Sequence, residues 1–251
     1  MKYIQSEKNP QIKQWKKLLT RKEREKTGTF LVEGFHLVEE ALKAEAVETI
    51  ILKETIELPK KWKSRNISYT IVTADAFQTL SETENSQGII AVCKQLPMKK
   101  TAIKGSQFLL IDAVQDPGNL GTIIRTADAA GIDVVIVGSG SVDVYNAKVL
   151  RSAQGSHFHL PIIHNDLLQW IQHFKKINTP VYGTSLQNGK NYTEIPCSKR
   201  FALLVGNEGN GVNEELLAET TANLYIPLFG KSESLNVAVA TGILLYALKQ
   251  F

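Results

Sequence analysis

The sequence predicts a two-domain α/β protein whose second domain is built on a mostly parallel sheet. Short apolar runs alternate with segments of helical periodicity along most of the chain. The apolar runs of the second half are continuous rather than alternating, which is the pattern of strands buried on both faces. The chain has 251 residues, 43% apolar and 22% charged, enough for two ordinary domains.

Taken from the amino terminus, "NPQIKQWKKLLTRKEREK" from Asn9 reads as one helix, with Asn9 as cap and Pro10 at the first helical position. Ile12, Trp15, Leu18 and Leu19 form its apolar face, and Lys13, Lys17, Arg21 and Arg24 lie elsewhere on it. Then "TFLVEG", "VETIIL", "NISYTIV" and "GIIAVCKQ" read as strands, with "HLVEEALKA" and "ADAFQTLSE" as helices between them. The polar segment from Leu96 to Gln107 holds Pro97 and Gly105 and reads as a linker. The expected division is 1–95, linker 96–106, and 107–251. In the second half "FLLID", "DVVIVG", "PVYGTSL", "FALLVG" and "LYIPL" read as buried strands. "DLLQWIQHFKKIN" reads as a helix stopping at Asn178, and "SLNVAVATGILLYALKQF" as a buried apolar helix of about five turns.

Charge is distributed unevenly. Residues 1–100 carry 18 Lys/Arg against 13 Asp/Glu, while residues 101–251 carry 11 against 12. A basic amino-terminal element on a nearly neutral body suggests an anionic polymer as partner, although a solvated helix face has the same composition. No run of eighteen apolar residues occurs, so a cytoplasmic protein without a membrane span is expected. Cys93 and Cys197 are too few for a disulfide framework and are expected in the core. His157 and His159 lack a third ligand at metal spacing, and no metal site is expected.

Three glycine-bearing loops follow three of the second-half strands. "VGNEGNG" resembles a phosphate loop at first sight, but its glycines run G-x-x-G-x-G, the reverse of the dinucleotide fingerprint, and Ile226 stands where an acidic residue is needed. No Walker loop is present either. Gly206, Gly209 and Gly211 therefore serve another close approach of the backbone. "DPGNLG" leads into a helix carrying Arg125, and "IPLFGKSESLN" leads into the last helix. Loops at the carboxyl ends of parallel strands form the ligand crevice of open α/β sheets, and the three are expected to converge there.

Over roughly Ser106 to Phe251 these three stretches resemble the three motifs of the SpoU (TrmH-like) RNA ribose 2'-O-methyltransferases of the SPOUT superfamily. The matching positions are Asn119 and Arg125, then Gly206, Asn207, Glu208 and Gly209, then Ser234, Leu235 and Asn236. Residues 1–95 look like the α/β sandwich RNA-binding domain that many members carry. The resemblance implies a carboxyl-terminal domain tied in a trefoil knot, S-adenosylmethionine as cofactor, and a homodimer. It also implies methylation of a ribose 2'-hydroxyl, in large-subunit ribosomal RNA.

By that resemblance Arg125 is the catalytic arginine, orienting the target hydroxyl or a phosphate, since a pKa above 12 makes it a poor base. Asn119, Glu208, Ser234 and Asn236 join it. Glu208 is expected to orient Arg125 or Asn119, and helix capping is the competing explanation for Asn119, Ser234 and Asn236. Cofactor contacts are expected at Thr184, Ser185, Gly206, Asn207, Gly209, Ile226 and Leu235, mostly through the backbone. Lys13, Lys17, Arg21 and Arg24 are expected to face RNA; neither DNA nor a membrane is expected as partner. The alternatives are a tRNA ribose methyltransferase and a catalytically silent RNA-binding or ribosome-assembly protein.

Overall fold

The computed structural model describes residues 2–63, 67–96 and 105–249. These fall into two compact units, one running to Leu96 and also taking Tyr145–Phe158, the other taking the rest. Of the expected linker, residues 97–104 lie outside the described residues, as does Asn66 of the third expected strand.

Unit 1 holds β1 (Lys2–Ile4), α1 (Pro10–Lys17), α2 (Arg21–Thr27), β2 (Thr29–Glu33), α3 (Phe35–Lys43), β3 (Val47–Lys53), α4 (Lys60–Lys63), β4 (Tyr69–Val72), α5 (Ala74–Gln78) and β5 (Ile89–Lys94). Its sheet runs β1-β4-β3-β5-β2, with β5 antiparallel to β2 and β3 and the other pairs parallel. Period-two alternation gives the sheet two apolar faces. Ile50, Leu52, Ile89, Ala91 and Cys93 pack with Leu37, Val38 and Ala41 of α3 on one side. Ile51, Ile90, Val92 and Val72 pack with Ile12 and Trp15 of α1 and Phe77 of α5 on the other. The result is an α/β sandwich.

The expected first helix is two. Thr20 lies in extended backbone between α1 and α2, its hydroxyl donating to the Lys17 carbonyl at 2.8 Å, a local bond that competes with helix continuation. Arg24 closes the corner. It is 5% exposed, and Nη1 donates to the carbonyls of Leu18 and Leu19, both at 2.9 Å. Arg24 thus turns inward, contrary to its expected place on an RNA-facing surface. Lys13, Lys17 and Arg21 are exposed, Arg21 pairing with Glu25 at 2.7 Å.

Unit 2 is laid out in chain order as β6 (Gln107–Ile111), α6 (Pro117–Ala129), β7 (Val134–Val137), β8 (Ile162–His164), α8 (Leu167–Lys176), β9 (Val181–Thr184), β10 (Lys190–Asn191), β11 (Phe201–Val205), α9 (Glu214–Ala218), β12 (Ala222–Tyr225) and α10 (Val237–Leu248). The helix numbered α7 (Ala147–Ala153) belongs with unit 1: Leu150 enters its core and Phe30 lies 4.6 Å from Tyr145, ring to ring. Chain order alone would have put this segment in the second domain.

The sheet of unit 2 is seven-stranded, ordered β10-β12-β9-β11-β6-β7-β8, and every recorded pair is parallel. Leu110, Ile136, Val181 and Leu204 pack under Ile171 and Phe174 of α8. The last helix is shorter than expected, twelve residues, because Asn236 caps it and "SLN" stays in the loop. Likewise β12 ends at Tyr225, so "IPL" is loop rather than strand. Cys93 is buried, and that burial pushes its thiol pKa up; Cys197 is exposed, against expectation.

Candidate active site

Because β6, β11, β9 and β12 are parallel neighbours, their carboxyl ends open at the same edge of the sheet. The loops leaving that edge are the three expected to converge, and the one after β9. Helix α6 begins at Pro117 with Asp116 as cap, the carboxylate accepting from the Asn119 N–H at 2.8 Å. Asn119 is therefore not the cap but a first-turn residue whose amide is free to point elsewhere. Helix α10 begins after Asn236, whose Oδ1 accepts from the N–H groups of Ala238 at 2.9 Å and Val239 at 3.3 Å.

The cap and the site are joined through one side chain. Asn236 uses Oδ1 for the helix and donates from Nδ2 to Asn119 Oδ1 at 2.9 Å. Asn119 in turn donates from Nδ2 to Glu208 Oε1 at 3.1 Å. Glu208 also accepts from the backbone N–H of Asp116 at 3.1 Å and of Gln115 at 3.2 Å. One residue from each loop forms a continuous polar chain ending in a carboxylate at the amino terminus of α6, where the helix dipole favours negative charge. Partial burial opposes ionisation of Glu208, but the Asn119 amide and the backbone donors, Gln115 and Asp116 among them, outweigh it. The carboxyl is held below its ordinary value of 4.5.

Within that chain Glu208 is bonded to Asn119, and among the described residues it has no bond to Arg125. Arg125 is exposed on the face of α6 that carries Gly118 and Thr122, and it makes no hydrogen bond or ion pair among the described residues. Its five donors are uncommitted. Ser234 is exposed and does not cap α10; its carbonyl accepts from Ser232 Oγ at 2.8 Å.

Asn207 is spent on structure. Its Oδ1 accepts from the N–H groups of Gly209 at 2.8 Å and Asn210 at 3.0 Å, and Nδ2 donates to the Ala113 carbonyl at 2.8 Å. Ala113 holds φ at +52°, the left-handed region that a non-glycine residue enters at a cost, and its carbonyl is the one that Asn207 binds. Nothing in the sequence marks Ala113. The Asn207 staple had a weak signal: an asparagine among glycines favours a side-chain bond to its own following backbone. Gly206 also serves the loop itself, because a Cβ there would collide with the backbone of Gly211 and Val212 as the loop returns. The tight return is closed by Asn207 N–H to Gly211 O at 2.9 Å and Gly211 N–H to Asn207 O at 3.0 Å.

Any cofactor at this edge meets mostly backbone. Between Ile226 and Leu235 no backbone–backbone hydrogen bond occurs among the described residues, so that loop's N–H and C=O groups are not taken by other backbone, although the Ser234 carbonyl accepts from Ser232 Oγ. Ile226 is half-buried and Leu235 lies at the edge of exposure. Thr184 closes β9, and Ser185 Oγ donates to the Gln187 carbonyl at 2.8 Å. An adenosine and an amino-acid tail with many donors and acceptors fit such an edge. Among the described residues no cluster of three metal-ligating side chains occurs, and His159 instead pairs with Asp128 at 3.1 Å.

Residues 106–246 match the model of the SpoU rRNA Methylase family, and residues 9–91 match an MRM3-like substrate binding domain. The chain belongs to the SpoU rRNA methylase family. A SpoU relative from Bacillus subtilis, a 23S rRNA (guanosine(2553)-2'-O)-methyltransferase, is 54% identical over 99% of this chain and 100% of its own length. An AdoMet-bound rRNA methyltransferase from Sinorhizobium meliloti superposes with a TM-score of 0.88 at 31% identity, covering 98% of this chain and 97% of that one. The SpoU methyltransferase AviRb from Streptomyces viridochromogenes, also complexed with AdoMet, gives 0.85 at 28% identity, covering 96% and 97%. With SpoU membership comes the activity: the chain is an RNA ribose 2'-O-methyltransferase that uses S-adenosylmethionine.

Proposed function

We propose that this enzyme methylates the ribose 2'-hydroxyl of the 23S rRNA guanosine that the Bacillus subtilis relative modifies, with unit 1 holding the RNA and unit 2 performing the transfer. The observation that supports the target is identity of 54% across both units, since choice of site requires the RNA-holding part as well as the chemistry. S-adenosylmethionine supplies the methyl group as an electrophile on a sulfonium. The protein's task is then positioning and charge, and positioning alone accounts for roughly 7–11 kcal/mol in well-oriented reactions. Arg125, permanently charged and uncommitted, binds the hydroxyl oxygen or the adjoining phosphate and stabilises negative charge as the hydroxyl proton passes to water and the methyl leaves its sulfur behind as a neutral thioether. Asn119, Glu208 and Asn236 hold the three loops in one geometry. Thr184, Ser185, Gly206, Gly209, Ile226, Leu235 and the backbone of Asn207 hold the cofactor, and Ser234 lines the approach.

Lys13, Lys17 and Arg21 meet phosphates. A second copy covers α10, which is mostly apolar and leaves Val239 and Tyr246 about half exposed. The knotted threading of the SPOUT superfamily, the division at 96–106 and a cytoplasmic location complete the reading. The test is transfer of labelled methyl to unmodified 23S rRNA transcript, followed by mapping of alkali-resistant linkages. Label at the guanosine equivalent to 2553, reduced about 10²-fold or more by Arg125→Ala, is the expected result. Label confined to tRNA, or at another rRNA position, overturns the target.

A further inference from the structure

Phe229 is 98% exposed, the most exposed large apolar side chain among the described residues. It stands on the loop between β12 and α10, seven residues before Asn236, and every residue from Phe229 to Asn236 is exposed. Gly230 beside it has open space where a Cβ would be. The ring leans on no wall of its own unit, so whatever it stacks on arrives from solvent. An interface between protein chains needs a contiguous apolar patch; here five small or polar residues, Gly230 to Ser234, follow the ring directly. Lys231 and Glu233 leave this stretch without net charge, so contact made here has to come from stacking rather than attraction. A fully exposed aromatic, preceded by the half-buried Ile226, Pro227 and Leu228 and followed by small and polar residues, suits a nucleic-acid base, because every base presents a π-face. Selecting one nucleotide in a large RNA also calls for an unstacked base held against an aromatic ring.

We propose that Phe229 stacks on a base of the RNA next to the reacting ribose and so helps decide which nucleotide enters the crevice. The proposal rests on the RNA methyltransferase reading and adds a residue that contacts substrate. The experiment uses the full chain with 23S rRNA transcript and compares wild type, Phe229→Ala and Phe229→Trp. Phe229→Ala is expected to raise KM for the transcript about tenfold or more and change kcat little, while Phe229→Trp stays within about twofold. Cofactor affinity by calorimetry and sedimentation are expected to be unchanged in both. An unchanged KM overturns the proposal. So does lost cofactor affinity, which would make the ring a cofactor cover, or a shifted sedimentation coefficient, which would make it an interface residue. If wild type transfers no methyl at all, the functional reading fails separately. Direct binding of the transcript then decides Phe229: weakened binding by Phe229→Ala upholds the stacking role, and equal affinity overturns it.

Discussion

The corner between α1 and α2 and the junction of the amino termini of α6 and α10 are built from the same residue types put to opposite uses. Asn9 and Asn236 are both helix caps. Asn9 accepts from the Gln11 N–H at 2.8 Å, and its side chain does no more in the described structure. Asn236 caps in the same way and adds a donated bond to Asn119 that ties the third loop to the first. Arg24 and Arg125 diverge more. Arg24 spends donors on two backbone carbonyls inside unit 1, whereas Arg125 is exposed on α6 and its side chain has no bond among the described residues. A side chain whose hydrogen bonds are complete stabilises the fold, and one left exposed and uncommitted is available to a ligand.

The two arginines give the sharpest way to break this contrast. Arg125→Ala should lower methyl transfer about 10²-fold or more with the melting temperature unchanged. Arg24→Ala should cost about 2 kcal/mol of stability, measured by urea unfolding, through lost charged hydrogen bonds and packing, with transfer per folded molecule within about twofold. If Arg24→Ala instead weakened RNA binding without destabilising, the corner would be an RNA surface after all.

The two asparagines separate capping from coupling on a smaller scale. Asn9→Ala and Asn236→Ala should each cost about 1 kcal/mol of stability. Asn236→Ser keeps an N-cap oxygen but loses the amide donor, so stability should hold while transfer falls about tenfold, the worth of roughly one hydrogen bond near the reacting groups. Equal activity in Asn236→Ser would leave the bond to Asn119 without a role in catalysis.

The smallest expected effect is the titration of Glu208. Its folded-state pKa is lowered, so the carboxylate's contribution is present above the ordinary value of 4.5 and lost as pH falls through the folded value. Carboxyl resonances followed by NMR should therefore place its midpoint below 4.5, and Asn119→Ala should move it upward by removing the side-chain donor. A midpoint above 4.5 in the intact chain would mean that burial, not the donors, prevails.

Much of this was legible in the chain itself. The strands of unit 2 were visible because both of their faces are buried, which leaves an unbroken apolar run whatever the neighbours are. The three loops were visible because glycine, proline and asparagine restrict or release the backbone locally. The helix break at Thr20 was not visible: a threonine within a good helical period is tolerated unless a tertiary partner holds the turn, and that partner is Arg24. The recipient of Glu208 was equally hidden, since Asn119 and Arg125 share a helix and only side-chain direction separates them.

By itself, then, the sequence determined most of the longer strands and helices, the parallel character of the second sheet and the three loops that leave its carboxyl edge. These depend on periodicity and local backbone preference, which act over a few neighbouring residues. The tertiary structure alone decided that Arg24 faces inward, that Asn207 binds the carbonyl of Ala113, that Tyr145–Phe158 packs with the first unit, and that Glu208 pairs with Asn119. Except for Arg24, whose acceptors lie five and six residues away, each of those is a choice among partners distant in the chain, settled by which groups packing brings together.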